Sequence, residues 1–372
     1  MTPTPQLIPA AKPLIGSEER LAVDAVLRSG MLAQGPEVAA FEEEFSHHFV
    51  LGRPTVALNS GTSGQHLGLL ASGVGPGDEV IVPSFTFAAV ANSVALTGAA
   101  PVFADIEPDY FTLDPQRIRE AVTERTKGIM PVHLYGHPFQ VDAVEAVAAE
   151  HGLAIYEDAA QAHCASWGDR PVGTIGEFAM FSLYPTKNMT AIEGGMVTCR
   201  SEETARQIKL LRNQGMETQY ANEVIGFNAR MSDVHAAVGR AQLAKVDAWT
   251  RIRRRNAAFF DRELALIPGI TPPRVAPLAT HVYHQYTIRV AVAERDRIRQ
   301  ALLDEHGVAT GVYYPIPNHR LPSLARFAQS VELPESDRAA AEVLSLPVHP
   351  SLTEAELHRI VAGMTAVAAA GA

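Results

Sequence analysis

Residues 181–197 read Phe-Ser-Leu-Tyr-Pro-Thr-Lys-Asn-Met-Thr-Ala-Ile-Glu-Gly-Gly-Met-Val, which places one lysine, Lys187, on a short irregular turn between two apolar strand-like runs. A free lysine titrates near about 10.4 and is almost all ammonium at neutral pH, so it must be desolvated or made into an imine before it can act. Met180 and Phe181 before it, and Ile192 and Met196 after it, supply apolar cover. An uncharged amine held there suits covalent capture of an aldehyde.

A second stretch, Glu157-Asp158-Ala159-Ala160-Gln161-Ala162-His163, closes the strand-like run Gly152–Tyr156. An acid at the carboxyl end of a buried strand in an α/β protein points into the crevice where ligands bind, so Asp158 is a candidate partner for a cationic ring nitrogen. Asn59-Ser60-Gly61-Thr62-Ser63-Gly64 follows the strand-like Pro54–Leu58 and opens a helical pattern. Its N–H groups and hydroxyls would face a dianion at a helix N-terminus. A lysine for the aldehyde, a carboxylate for the pyridinium nitrogen and a nest of donors for the phosphate are the three protein parts that pyridoxal 5'-phosphate requires. Read singly, Asp158 is a helix cap or surface acid, the Gly/Ser turn a cap, Phe87 a core residue and Asn228 a turn residue. Their occurrence together argues for the cofactor.

The chain of 372 residues, 47% hydrophobic, is longer than one usual domain and can bury a large core. Its net charge of −10 argues against nucleic acid as a partner. Cys164 and Cys199 have neither metal-ligand spacing nor the density of a disulfide scaffold. No basic, apolar leader opens the chain and no run reaches membrane-spanning length, so a soluble cytoplasmic protein without a membrane partner is expected.

Strand and helix patterns alternate through the first two-thirds. Helices are expected at Ser17–Arg28, capped by Ser17, and at Glu37–Phe49, Thr62–Ala71, Phe87–Leu96 and Val141–His151. Strands are expected at Pro54–Leu58, Glu79–Val82, Val102–Ala104, Gly128–Pro131 and Leu153–Tyr156. This is the pattern of βαβ units on a mainly parallel sheet. From Ser232 one long helical pattern runs to about Leu264. Beyond it Gln285–Val290 and Val308–Tyr313 read as strands, Arg295–His306 and Glu354–Val367 as helices, and Pro268–Pro277 as a loop. The expected division is a large cofactor-binding domain, residues 1–245, and a smaller α+β domain, residues 246–372.

The phosphate loop, Gly77–Phe87, Glu157–His163, Ser182–Gly195, Gly226-Phe227-Asn228-Ala229-Arg230-Met231 and Tyr314-Pro315-Ile316-Pro317 occur in this order. Together they resemble the DegT/DnrJ/EryC1/StrS family of sugar aminotransferases, fold type I pyridoxal phosphate enzymes, from Lys12-Pro13 to about Met364. The resemblance implies a large domain with a mainly parallel, seven-stranded type of sheet flanked by helices. It implies that Lys187 binds the cofactor aldehyde and shuttles the proton, and that Asp158 keeps the ring nitrogen protonated. Gln161 would lie by the ring face and its oxygen substituent, Phe87 would stack on the opposite face, and Gly61, Thr62, Ser63 and Ser182 would hold the phosphate. Asn228 would reach the phosphate in the neighbouring subunit, which requires a homodimer with shared active sites.

The implied reaction moves an amino group from L-glutamate or L-glutamine to the ketone of a nucleotide-diphosphate-linked keto-deoxysugar. A cyclitol ketone of the inosose type is the alternative acceptor, and a regulatory protein that keeps the fold without catalysis is the alternative class. Dehydrating relatives carry histidine where Lys187 stands. Arg230 is an anion contact for the donor carboxylate or the nucleotide, and Tyr314 and His319 are candidate substrate contacts. Asn318-His319-Arg320-Leu321-Pro322 departs from the family's usual continuation in the region expected to shape the acceptor pocket, and Cys164 stands where glycine is usual. His163 reads either as a group orienting Asp158 by a hydrogen bond or as a satisfied core histidine. His133, His137 and His151 lie on different elements, so no metal is expected. Arg251–Arg255 reads as the wet face of a helix or as a contact for a diphosphate.

Overall fold

The computed structural model describes residues 6–329 and 331–370. The chain opens with α1 (Ser17–Ser29) and α2 (Pro36–Phe49), the second begun by a proline at its first position, where no N–H is needed. The cap of α1 lies one residue earlier than the expected Ser17: the Gly16 N–H donates to Glu19 Oε2 at 2.7 Å, and Gly30 at φ 74° ends the helix. Then β1 (Thr55–Leu58), α3 (Gly61–Ala71), β2 (Glu79–Pro83), α4 (Ala89–Leu96), β3 (Ala100–Ala104), α5 (Pro115–Ala121), β4 (Thr126–Ile129), α6 (Val141–His151) and β5 (Ala154–Asp158) alternate. Short strands β6 (Ser166–Trp167) and β7 (Arg170–Pro171) precede β8 (Phe178–Ser182) and β9 (Gly195–Cys199), which flank the lysine turn. A helix absent from the sequence reading, α7 (Glu202–Arg212), leads to the hairpin β10 (Met216–Thr218) and β11 (Ala221–Asn222).

Seven strands form one sheet in the order β1-β9-β8-β5-β4-β2-β3. The pairs from β8 through β5, β4 and β2 to β3 are parallel, and β9 lies antiparallel to both β8 and β1. Helices cover both faces, so β1, β2 and β9 are buried at every position and read as continuous apolar runs rather than alternating ones. The carboxyl ends of β1, β2, β5 and β8 share one edge, and the phosphate loop, Phe87, Asp158 and Lys187 all follow from that edge.

The expected long helix from Ser232 is two, α8 (Asp233–Leu243) and α9 (Val246–Leu264), parted at Ala244-Lys245 where Lys245 turns to Glu19 at 2.8 Å. The near end of α9 buries Val246 in the core beneath α2 and β8; its far end buries Ala257, Phe260 and Leu264 in a separate core. That second core is completed by β13 (Tyr286–Arg289), α10 (Arg295–His306), β14 (Val343–Leu346) and α12 (Glu354–Ala369); the short β12 (Ala279–Thr280) pairs with β6, and α11 (Pro334–Glu342) precedes β14. Leu324, Leu333, Ala339 and Ala340 pack instead with the core around β2 and β3. Val308–Tyr313 is not the strand expected there. It makes single bridges, Val308 with Ile8 and Gly311 with Ser345, and turns away at Tyr314 with φ 59°. The partner of β13 is β14, whose Ala-Ala-Ala-Glu approach reads as more helix. Among the described residues no helix is long and apolar enough to cross a membrane.

Candidate active site

At the end of β1, Leu58 pairs with Gly195 and the chain turns into α3. Ser60 caps that helix: its Oγ accepts from the Ser63 N–H at 3.1 Å, and its carbonyl accepts from Gly64. By helix geometry the N–H groups of Gly61 and Thr62 have no partner inside the helix, and they lie at its positive end. The turn can close only on glycines. A Cβ on Gly195 would stand 2.5 Å from the Ser60 carbonyl oxygen, and one on Gly61 would stand 2.9 Å from Met180 Sδ. Ser182, opposite Gly195 at the end of β8, keeps a half-buried hydroxyl whose oxygen accepts from the Tyr184 N–H at 3.4 Å.

Strand alternation separates the two acids at the end of β5. Glu157 points to the far side, where His133 Nε2 at 3.1 Å and the N–H groups of Gly173, Ile175 and Gly176 at 2.8 to 2.9 Å bind it. Burial alone would raise its pKa, but His133 and those N–H groups hold it below the ordinary carboxylate value. Asp158 faces the site, accepting from Gln65 Nε2 at 2.7 Å and from the Ala160 N–H at 2.9 Å. Burial raises its pKa, opposed by the Ala160 N–H, the Lys187 charge and Gln65. Gln65, a polar residue on the buried face of α3, was not anticipated; its signal is an amide among Gly64, Leu67 and Gly68.

Lys187 follows Tyr184-Pro185-Thr186, its N–H closing a turn on the Tyr184 carbonyl at 3.0 Å. Burial draws the amine down to about 8, against the pull of the Asp158 carboxylate. Gln161 is fixed at both ends: Oε1 accepts from the Tyr135 N–H at 2.6 Å, and Nε2 donates to the Tyr314 hydroxyl at 2.7 Å. Tyr135 and Tyr314 both have φ 59° and stack at 6.4 Å. Two aromatic residues held in the left-handed region beside Asp158 are backbone strain concentrated at one place, the usual mark of a functional site. Phe87 is 63% exposed beyond β2, so it is a free ring face rather than a core residue.

The segment Asn228–Arg230 runs beside the start of the phosphate loop: Arg230 bridges Leu58, and the Asn59 N–H donates to the Ala229 carbonyl at 2.9 Å. Asn228 is exposed, bridged by its backbone to Asn213, and the Arg230 guanidinium donates to Asn213 Oδ1 at 2.8 Å. The nearby hairpin exposes Tyr220, and the segment after it exposes Ile225 and Phe227. His319 is buried, its Nδ1 2.6 Å from Ser84 Oγ and its Nε2 3.4 Å from Asp337, so it braces the Tyr-Pro loop on β2 instead of offering its ring to a substrate. Neither reading of His163 holds. Among the described residues its nitrogens have no hydrogen-bond partner, its ring packs among Phe45, Phe49 and Phe181, and burial and the Lys187 charge push it down to about 3. Arg251, Arg254 and Arg255 lie on the exposed face of α9, as expected, but Arg253 is buried, and its Nη1 donates to the carbonyls of Tyr283 and His284, both at 3.2 Å.

The profile of the DegT/DnrJ/EryC1/StrS aminotransferase family matches residues 13–365. The chain belongs to this family. Its members are fold type I, pyridoxal phosphate-dependent aminotransferases, and the seven-stranded sheet with a smaller carboxyl-terminal lobe is that fold. A dTDP-3-amino-3,4,6-trideoxy-alpha-D-glucose transaminase of Streptomyces venezuelae is 40% identical over 95% of this chain and 92% of its own. A protein of Geobacillus stearothermophilus named pleiotropic regulatory protein is 40% identical over 91% of each chain. Among solved structures, that of S. venezuelae DesV in complex with a ketimine intermediate superposes with a TM-score of 0.91 at 39% identity, covering 97% of this chain and 99% of the other. Further solved relatives are described in their PLP and PMP forms.

Proposed function

We propose that this enzyme moves an amino group from L-glutamate, or from L-glutamine, to the ketone of a nucleotide-diphosphate-linked keto-deoxysugar. In this reading it works as a cytoplasmic homodimer in which Asn228 of each chain completes the other's site. The observation that carries the reading is the burial of the Lys187 amine and the Asp158 carboxylate near enough that each feels the other's charge, at one sheet edge beside the open N-terminus of α3. The residues present fit pyridoxal 5'-phosphate: an amine that burial keeps partly neutral, a buried acid with only two hydrogen-bond donors on it, and a helix end carrying Thr62 and Ser63 with Ser182 alongside. When bound, that group supplies an electron sink for the carbanion left when an α-proton departs.

Lys187 would hold the cofactor covalently and would be the base that moves the proton. Asp158, its direction fixed by Gln65 and the Ala160 N–H, would hold the ring nitrogen. Gln161, clamped by Tyr135 and Tyr314, and the exposed Phe87 would also contact the group. Exposed apolar residues on the hairpin and in the segment from it to Asn228 support a second chain docking there.

Because burial lowers the Lys187 pKa, the amine loses its proton more easily than an ordinary lysine. The rate at which cofactor-free protein captures pyridoxal phosphate should climb about tenfold per pH unit below about 8 and level off above it. A rate that kept climbing toward pH 10 would mean an unshifted amine. The test of the function itself is the absorption spectrum of reconstituted enzyme on adding L-glutamate and then L-glutamine. Conversion to the pyridoxamine form with either, and its reversal by a nucleotide-linked keto sugar but not by a cyclitol ketone, supports the reading. Silence toward both amino acids would favour a regulatory role such as the one for which the Geobacillus relative is named.

A further inference from the structure

Cys164 follows the acidic motif with a φ of 67°, in the left-handed region that a residue with a Cβ adopts only at a cost. A cysteine kept at such a cost invites a reason beyond packing. Its thiol Sγ lies 3.4 Å from Asp247 Oδ1, and His48 Nε2 lies 3.3 Å from that same oxygen. One donor atom from each of the three residues falls within 4.8 Å of the others. His48 comes from the last turn of α2, Cys164 from the loop after β5 and Asp247 from the first turn of α9.

We propose that His48, Cys164 and Asp247 form a zinc site. Bond lengths of about 2.0 to 2.3 Å around a tetrahedral zinc separate its ligand atoms by about 3.3 to 3.6 Å, so the two distances from Asp247 already match the edges of such a site. Imidazole nitrogen, thiolate sulfur and carboxylate oxygen are the donor types that zinc accepts together, and water would take the fourth position. The side chains of His48 and Asp247 are 31% and 55% exposed, which gives the ion a way in. Binding converts the thiol to thiolate and releases its proton to solvent, so uptake weakens as pH falls. The site would tie α9, which spans both cores, to α2 and to the segment that carries Asp158 and Gln161. The ligands come from three distant parts of the chain, which is why spacing arguments gave no hint of them.

The test uses cofactor-loaded enzyme stripped of metals with a chelator and titrated with zinc against a competing indicator. One zinc per chain is expected, with a rise in Tm. His48→Ala and Cys164→Gly should each weaken uptake by at least about a hundredfold, the upper end of what losing even an outer-shell partner costs. Glycine suits the backbone at position 164, so this variant keeps its fold, and its unchanged cofactor absorption will verify that. Cobalt(II) in the native protein should give the visible absorption of a tetrahedral site, lost in both variants. No zinc retained by the native protein, or equal retention by either variant, overturns the proposal.

Discussion

Lys187→Ala should bring turnover down by about 10⁴-fold or more, because one change removes both the covalent attachment and the base that moves the proton. The protein should remain folded. Burial disfavours the lysine ammonium, as its descent to about 8 records, so removing the amine takes away an unfavourable term rather than a stabilising one. The measurement is steady-state amino transfer with thermal denaturation of the same sample. A small primary amine added to the buffer should restore part of the activity, which a merely structural role would not allow. Turnover within tenfold of the native enzyme would sink the assignment of Lys187.

Asp158→Asn should lower kcat by about 10²- to 10³-fold, with little change in Tm and a smaller change in KM. The reasoning starts from the two donors on the carboxylate, the Ala160 N–H and Gln65 Nε2. An asparagine oxygen can still accept from Ala160, which leaves its NH2 group facing the NH2 of Gln65. Gln65 Oε1, however, is a buried acceptor with no partner, so a flip of the Gln65 amide turns that clash into a hydrogen bond. The substitution thus isolates the charge from the packing. Asp158→Ala, which leaves Gln65 without its partner, should lose comparable activity and also be destabilised by about 1 to 3 kcal/mol. A kcat within tenfold of native in a folded Asp158→Asn enzyme would remove Asp158 from its role beside the ring nitrogen.

Much of the fold is legible in the sequence. The β1 to β5 alternation was readable because each strand is a short apolar run bounded by Gly, Pro or a polar turn. Asp158 was readable because it stands at a strand end followed by small residues. Helix α7 was missed although Ser201 caps it, since its charged face obscures its apolar stripe of Ala205, Ile208 and Leu211. The break between α8 and α9 was missed because no Gly or Pro marks it; the cause is an ion pair of Lys245 with residues of α1. His319 was drawn toward the substrate by its place after the Tyr-Pro motif, and its burial on Ser84 depends on a contact 235 positions away.

By itself the sequence determined the class of chemistry, the alternating architecture and the places of Asp158 at the end of β5 and of Lys187 in the turn after β8, because those depend on residue type and on local order along the chain. Only the tertiary structure decided that Gln65 holds Asp158 and what holds Glu157 on the far side, which groups clamp Gln161, where Arg253 and His319 are buried, and that His48, Cys164 and Asp247 meet. Each of these depends on distances between segments far apart in the chain, and hydrophobic periodicity carries no information about them. It marks which face of an element is buried, while packing and hydrogen bonding select its neighbours.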